Sequence, residues 1–394
     1  MHDFQIWKLN IALFLRSFLL LSPVMLLFYQ ENGLTVQTLF LFQGIFYLTS
    51  ILSEIPVGYI SDNISKKDTL LLSLGLFLSA IVLWLFYHGF YVILAGEIIF
   101  AISKVMMDNS MSGYLYDYLG ENNKSEKMVR YWGYLNFFLA CGTAFAALTG
   151  TWTFTKFGSH TVLSVEFLLI IISLLLVMSV PNIKSFKREI KIKNYIRAAK
   201  EIYSNQSIRY HIFYSGLLTA CSILFVLSFQ PLMQNALFPI FMFGVIAFSN
   251  HGIRALSGII AGKFREYIKI QNLIIPLYFL YISAFLMVFT VLHYKNIIFV
   301  TTILILICLI IGCQLLFTIL HISRLHQFVG LENRGNLMAI NNFVSRSIAA
   351  IMLISSKIFI GKLGLEQFYI IAFVIFIIFA SYVMPKTYKV KELV

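Results

Sequence analysis

Three ionisable residues lie inside one strongly apolar stretch of the sequence. Glu97, Lys104 and Asp108 are separated by seven and four residues, a spacing that places all three on one face of a helix. Charged groups in apolar surroundings are costly unless they pair or are hydrated, so this face is a candidate for binding a proton or a charged ligand. Two interpretations stay open: Lys104 and Asp108 form a neutralised structural pair, or they act on substrate or a proton.

Arg16 is a second charged residue in apolar surroundings, near the middle of the first apolar run, Ile6 to Tyr29. Its guanidinium has a rigid fork of donors that matches a carboxylate or a phosphate. We expect Arg16 to pair within the protein, with Asp108 as one possible partner. The alternative is an unpaired Arg16 that binds an anionic group on a ligand.

Polar positions recur in both halves of the chain. Glu54 and Arg254 lie 200 residues apart, each about eight residues before the end of a predicted helix and therefore about 12 Å deep. His251 shares a helix face with Arg254, and Arg346 forms part of another polar stripe. A histidine can transfer a proton near neutral pH, but His251 beside Asn and Arg is more simply explained as a hydrogen-bonded packing residue.

The segments that carry these residues are long and apolar. Of the 394 residues, 59% are hydrophobic and 12% are charged, whereas soluble domains have about one quarter charged residues. Runs long enough to cross about 30 Å of hydrocarbon recur in two sets of six. We therefore expect an all-α membrane protein of about twelve transmembrane helices in two pseudo-symmetric six-helix bundles. The predicted segments are 6–29, 37–60, 69–87, 91–115, 132–148, 161–180, 212–232, 238–260, 273–292, 297–319, 336–358 and 367–384.

The two sets are separated by a polar, basic segment. We predict an N-terminal bundle over residues 1–183, a cytoplasmic linker over 184–208 and a C-terminal bundle over 209–394. The linker is either an amphipathic helix on the anionic membrane surface or a solvated loop. An internal repeat supports two halves, because the six residues from Gly58 end the second segment and the six from Gly258 end the eighth.

Lysine and arginine counts predict the orientation. Basic loops resist translocation, and with both termini in the cytoplasm about 22 basic residues fall inside and about 4 fall outside. The net charge of +13 is therefore explained by topology, and we expect no nucleic-acid partner. The predicted cytoplasmic positions include Lys66, Lys124, Lys191 and Lys263, and the predicted outer positions include Lys156 and Lys295.

The loop after the second segment carries a recognisable motif. Residues 54–67 read EIPVGYISDNISKK. This resembles the signature loop of the major facilitator superfamily, which reads Gly, three residues, Asp, Arg, any residue, Gly and two basic residues. Gly58, Asp62, Lys66 and Lys67 match, whereas an asparagine and a serine replace the usual arginine and second glycine. The Glu-Ile-Pro lead-in is similar to that of a bacterial subgroup.

Physical chemistry suggests roles for the matching residues. Gly58 would let two helix backbones approach closely, and Asp62 would accept hydrogen bonds from the amides that begin a neighbouring helix, which the resemblance identifies as the eleventh. Lys66 and Lys67 would reach Asp117 and form an ion-pair cluster that closes one side. The alternative is a loop that only fixes topology.

The resemblance implies a secondary transporter that works by alternating access around a central site. We expect proton coupling through a buried carboxylate, with Asp108 and Glu54 as the leading candidates. We favour export, although the fifth segment lacks the Gly-Pro signature of drug/proton antiporters. Proton-coupled uptake of an anionic or peptide-like metabolite is the first alternative, and a channel or a non-transporting membrane protein is the second.

An enzyme is not expected, because the sequence shows no nucleophile with a base and no metal cluster on facing helices. No cofactor or metal is expected for the same reason. The expected partners are a small-molecule substrate, protons and membrane lipid. We predict a monomer in the cytoplasmic (inner) membrane.

Overall fold

The structure, a computed structural model, describes residues 3–122, 127–183, 200, 203–264, 267–328 and 334–388. The described residues are almost entirely α-helical and contain no strand. A single turn of 3₁₀ helix, Ser22–Val24, precedes α2. The helices are α1 Asp3–Arg16, α2 Met25–Glu31, α3 Val36–Asn63, α4 Lys66–Phe86, α5 Phe90–Glu121, α6 Met128–Met178, α7 Gln206–Asn235, α8 Ile240–Phe264, α9 Gln271–His293, α10 Ile297–Phe328, α11 Arg334–Leu363 and α12 Leu365–Tyr388.

Ten of these helices, α3 to α12, are long and apolar enough to cross a membrane. Helix α6 has 51 residues and would measure about 77 Å, far more than the roughly 30 Å of hydrocarbon in a bilayer. It is interrupted at Gly158, where φ is 79° and ψ is 178°, a conformation that only glycine adopts readily. Helix α6 therefore supplies the fifth and sixth crossings in succession.

The first predicted segment is not one continuous helix, so that expectation is wrong. Helix α1 ends at Arg16, and a turn and the 3₁₀ helix precede α2. Pro23 explains part of the break, because proline has no N–H and its ring clashes with the carbonyl four residues earlier in an α-helix. Taken together, α1 and α2 make one broken crossing, and the described residues account for twelve crossings. The expected all-α membrane fold is confirmed.

The chain divides into two compact units. The first comprises Met1–Ile190 with Ile240–Phe248, and the second comprises Lys191–Pro239 with Ser249–Val394. In the first unit α1 packs against α6, and α4 packs against both α5 and α6. In the second unit α7 packs against α11 and α12, and α9 packs against α12.

The predicted domain boundaries, with bundles over 1–183 and 209–394, stay a prediction. Most of the linker predicted over 184–208 lies outside the described residues. Lys124 and Lys191 lie outside them as well.

Hydroxyl side chains fix where two helices of the first unit begin. Thr35 and Thr38 form a capping box at the start of α3, and the Ser65 hydroxyl accepts a 3.0 Å hydrogen bond from the Asp68 amide at the start of α4. Such caps satisfy amides that have no partner in the first turn of a helix. The Ser65 cap lies in the short turn between α3 and α4 that carries the signature loop.

Candidate functional site

The break in the first crossing lies directly against α6. A Cβ placed on Gly142 would be 2.6 Å from the Phe14 carbonyl oxygen. A Cβ on Gly150 would be 2.9 Å from the carbonyl carbon of Leu20. The two backbones touch at both positions, and this contact requires glycine because any side chain would occupy the same space.

Glu166 holds the broken backbone in place. Its side chain is 2% exposed, and its Oε2 accepts a 3.2 Å hydrogen bond from the backbone N–H of Leu21. A break in a membrane helix frees backbone donors that have no water to bond to, and Glu166 satisfies one of them. The sequence analysis did not single out Glu166, and the signal that was available is a lone carboxylate inside the sixth predicted segment.

Arg16 ends α1 at the edge of this break and is 5% exposed. Its guanidinium carbon lies 4.1 Å from the ring centroid of Phe77 and 5.6 Å from that of Phe100, distances typical of cation–π contacts. Its charge interacts with those of Glu166 and Asp108, but no salt bridge to Arg16 within 4.0 Å occurs among the described residues. The expected pairing with Asp108 therefore takes the form of a longer-range attraction.

Glu97 is buried and bonded to neutral groups. Its side chain is 1% exposed, and its Oε1 accepts a 2.6 Å hydrogen bond from the Tyr29 hydroxyl of α2. Its Oε2 lies 3.5 Å from the amide nitrogen of Gln43 on α3. Neither partner was singled out by the sequence analysis.

Lys104 and Asp108 form the salt bridge that their spacing suggested. The Lys104 Nζ lies 3.0 Å from Asp108 Oδ2, and their side chains are 47% and 44% exposed. The α5 face predicted to carry Glu97, Lys104 and Asp108 is therefore divided, because Glu97 is enclosed and the other two are accessible. Whether the pair is structural or acts on substrate stays open.

A cavity of about 170 Å³ in the first unit is lined by Lys104, Glu166 and Gln43, the neighbour of Glu97. Its walls include both polar and aromatic side chains, with the Lys104 amine, the Gln43 amide and the Glu166 carboxylate on the polar side. The aromatic wall consists of Phe46, Phe77, Trp84 and Phe100.

The signature loop forms a local set of contacts. Lys66 Nζ lies 3.1 Å from Asp62 Oδ1, and it also donates a 2.6 Å bond to the Ser61 carbonyl. Lys67 Nζ donates 2.7 Å bonds to the carbonyls of Met178 and Val180. Lys67 thus caps the C-terminal end of α6, where carbonyls have no helical partner and a positive charge is favoured.

Two expectations for this loop differ from what the described residues show. The ion pairs of Lys66 and Lys67 with Asp117 do not form there, because both amines find nearer acceptors; Asp117 is buried. A Cβ on Gly58 would meet no heavy atom within 4 Å, so the expected close helix approach is also missing from this conformation. Asp62 Oδ2 is buried without a hydrogen-bond partner among the described residues.

The other predicted polar positions are separated along α3, α8 and α11. Glu54 on α3 is half-buried, as are His251 on α8 and Arg346 on α11, whereas Arg254 is exposed. Their proposed participation in a central site stays a prediction.

The second unit contains a polar network that the sequence analysis missed. Gln314 on α10 is 5% exposed, and its amide nitrogen donates to Thr219 at 2.9 Å and to Thr318 at 2.8 Å. Ser222 donates to the Gln314 carbonyl at 3.2 Å and contacts the Tyr281 hydroxyl. These uncharged residues have no periodic signature, because serine, threonine and glutamine are common in helices for other reasons.

Comparison with known proteins agrees with this architecture. The Major Facilitator Superfamily model matches residues 9–354, and no curated protein sequence matches the chain. The solved structure of the nucleoside transporter NupG superposes with a TM-score of 0.76 at 14% identity and covers 97% of this chain and 98% of its own. A bacterial homologue of the human lysosomal transporter Spinster, inward-facing and unoccupied, gives 0.72 at 13% identity, with 98% and 97% covered.

At these identities the structural matches show the fold alone, whereas the family model spans most of the chain. The expected resemblance is confirmed at the level of the superfamily. The protein belongs to the major facilitator superfamily and is a multi-pass membrane transporter of small molecules, not an enzyme.

Proposed function

We propose that the protein couples the movement of a small solute to a proton, by alternating access, in the cytoplasmic membrane with both termini inside. In this proposal Glu97 carries the proton. Asp108 and Glu54, the residues favoured by sequence, are the alternatives. The protein acts as a monomer.

The burial of Glu97 among neutral partners carries the proposal. It is 1% exposed, its close donor is the Tyr29 hydroxyl, and no cation lies within 4.0 Å of it among the described residues. An ionised carboxylate in such surroundings costs several kcal/mol. Binding a proton removes that cost, and opening of the site to water lowers it by hydrating the ionised form, so protonation and conformation are linked.

Asp108 has different surroundings. It forms a salt bridge with Lys104 and its side chain is 44% exposed, so its charge is compensated by a cation and by solvent. The comparison between the two carboxylates favours Glu97 as the carrier.

The cavity supports a small solute with a planar or apolar part. Aromatic rings of Phe46, Phe77 and Phe100 provide stacking surfaces, while Gln43 and Lys104 provide polar contacts. Export is our proposed direction. Arg16 supports the alternative of uptake of an anionic metabolite, because its buried Nε has no hydrogen-bond partner among the described residues and its fork suits carboxylates.

The test begins with a thermal-shift screen of purified protein, since a ligand of the folded state raises its apparent stability. With that ligand, accumulation is measured in proteoliposomes under an imposed proton gradient. Glu97→Gln should abolish gradient-driven accumulation and leave exchange of solute measurable. Asp108→Asn and the surface control Glu366→Gln should retain accumulation.

The orientation of the gradient that drives accumulation distinguishes export from uptake. If Glu97→Gln concentrates the ligand with the wild-type dependence on pH, Glu97 does not carry the proton. If wild-type accumulation ignores the proton gradient, proton coupling itself is wrong.

A further inference from the structure

A second, larger cleft lies at one end of the first unit. It has a volume of about 450 Å³ and is bounded by the end of α2, the turn before α5 and the break of α6 at Gly158. Its polar lining includes Glu31, His88 and His160, and the His88 Nδ1 lies 2.9 Å from the Asn32 side-chain oxygen. In the proposed orientation this end faces the outside of the cell.

The cleft and the inner cavity share three helices. On α4, Phe77 lines the cavity, Leu85 lines the cleft, and Trp84 lines both. Positions 77 and 84 are seven residues apart and therefore lie on one helix face, and His88, which follows the end of α4 at Phe86, also lines the cleft. Of all residues that line the two spaces, Trp84 is the one they have in common.

Helices α6 and α2 repeat this arrangement. On α6, Glu166 lines the cavity, while Leu163 and His160, one and nearly two turns earlier, line the cleft. On α2, Met25 lines the cavity and Phe28 lines the cleft. Residues of α2, α4 and α6 thus line both spaces.

Trp84 is held at the boundary between the two spaces. It is 4% exposed, and its indole N–H donates a 3.3 Å hydrogen bond to the Ile93 carbonyl of α5. The ring packs on Gly96, where a Cβ would lie 2.8 Å from the Trp84 Cδ1. The one ring that lines both spaces is thus fixed by a hydrogen bond and by a glycine contact.

We propose that the two spaces are the ends of one water and proton route, inside the first unit, that runs from the cleft to Glu166 and is closed by Trp84. This inference rests on the proposed proton coupling and deepens it. The route would bring water and protons to the cavity lined by Glu166 and by Gln43, which is the neighbour of Glu97. The charged groups near Glu166 are Arg16 on α1 and the Lys104–Asp108 pair on α5. The α4 residues that line the cavity, Phe77 and Trp84, are uncharged.

The test measures access to position 166 from outside. Glu166→Cys is placed in a chain whose four native cysteines are replaced, and right-side-out vesicles are treated with a small, membrane-impermeant methanethiosulfonate. Adding Trp84→Ala should raise the rate of modification roughly tenfold or more, because that rate follows the population of the open route. Trp152→Ala is the matched control, since Trp152 is 53% exposed and lines neither space.

A second cysteine position keeps the test valid if the Glu166→Cys variant misfolds. Met25→Cys lies in the same cavity on α2 and should show the same acceleration with Trp84→Ala. An unchanged rate at both reporters, or an equal rise with Trp152→Ala, would overturn the route.

The cleft reporter His160→Cys distinguishes failure of the route from failure of the proposed orientation. Its modification from outside should be fast whether or not Trp84 is present. If it reacts only in inside-out vesicles, the orientation is wrong, and the same comparison at position 166 is then read from that side.

Discussion

Gly150→Ala tests the contact between α6 and the broken first crossing. The added Cβ would lie 2.9 Å from the Leu20 carbonyl carbon and 3.0 Å from its Cα, and it would overlap the carbonyl oxygen. These atoms belong to backbone, which cannot rotate away as a side chain does. The next residue, Leu21, is also held by its bond to Glu166, so the strain is not relieved by a small local shift.

The size of the effect follows from two opposing terms. Overpacking of a well-packed interior costs about 1–3 kcal/mol in the free energy of unfolding, and replacing glycine by alanine inside a helix gains about 1 kcal/mol. Gly133→Ala in the same helix gives the second term alone, since a Cβ there meets no heavy atom within 4 Å. The helix-propensity term cancels between the two variants, so Gly150→Ala should be less stable than Gly133→Ala by about 1–3 kcal/mol.

Unfolding of the purified variants in mixed micelles, followed by circular dichroism, provides the measurement. Gly142→Ala should change stability in the same direction as Gly150→Ala, because its Cβ would lie 2.6 Å from the Phe14 carbonyl oxygen. Equal stability of Gly150→Ala and Gly133→Ala would refute the close packing of the break on α6.

Three further predictions concern the loop, the buried carboxylate and the orientation. Asp62→Asn should slow solute turnover with unchanged solute affinity, because we propose that Asp62 stabilises one conformation and does not contact the ligand; equal losses in both quantities would contradict this. Tyr29→Phe should lower the free energy of unfolding by about 1–3 kcal/mol, because it leaves a buried acceptor without its donor, whereas Tyr91→Phe at an exposed ring should not. An impermeant thiol reagent added outside intact cells should modify Lys295→Cys and leave Lys263→Cys unmodified; the reverse pattern would invert the topology.

Hydropathy was sufficient to predict the long membrane-crossing helices, because a helix needs about 20 consecutive apolar residues to cross a bilayer. The segment predicted over 69–87 is Lys66–Phe86 in the structure, and the one predicted over 273–292 is Gln271–His293. The polar stretch between the fifth and sixth segments was expected as a loop, yet it is helical up to Gly158. The hydroxyls of Thr151 and Thr155 bond to carbonyls four residues earlier, which lets these polar residues remain within a helix.

The candidate site was only partly accessible from sequence, because spacing rules act over one or two helix turns. The Lys104–Asp108 salt bridge follows from such a rule. Glu166 is 145 residues from the amide that it binds, and Glu97 is 68 residues from Tyr29. Contacts between residues so far apart in the sequence depend on how the helices pack, and a pattern within one helix does not reveal that packing.

Helix α2 connects the two buried carboxylates. Leu21, just before it, donates its amide to Glu166, and Tyr29, near its end, donates its hydroxyl to Glu97. Hydrogen bonds to an ionised carboxylate are roughly twice as strong as those to a neutral acceptor, so a proton on either carboxylate would weaken one attachment of α2. Because linkage is reciprocal, a movement of α2 would change the proton affinity of each carboxylate by the same free energy with which a proton on that carboxylate biases the movement. Helix α2 has seven residues and is separated from α1 by a break, and we propose that it is the element through which proton binding would alter the cavity.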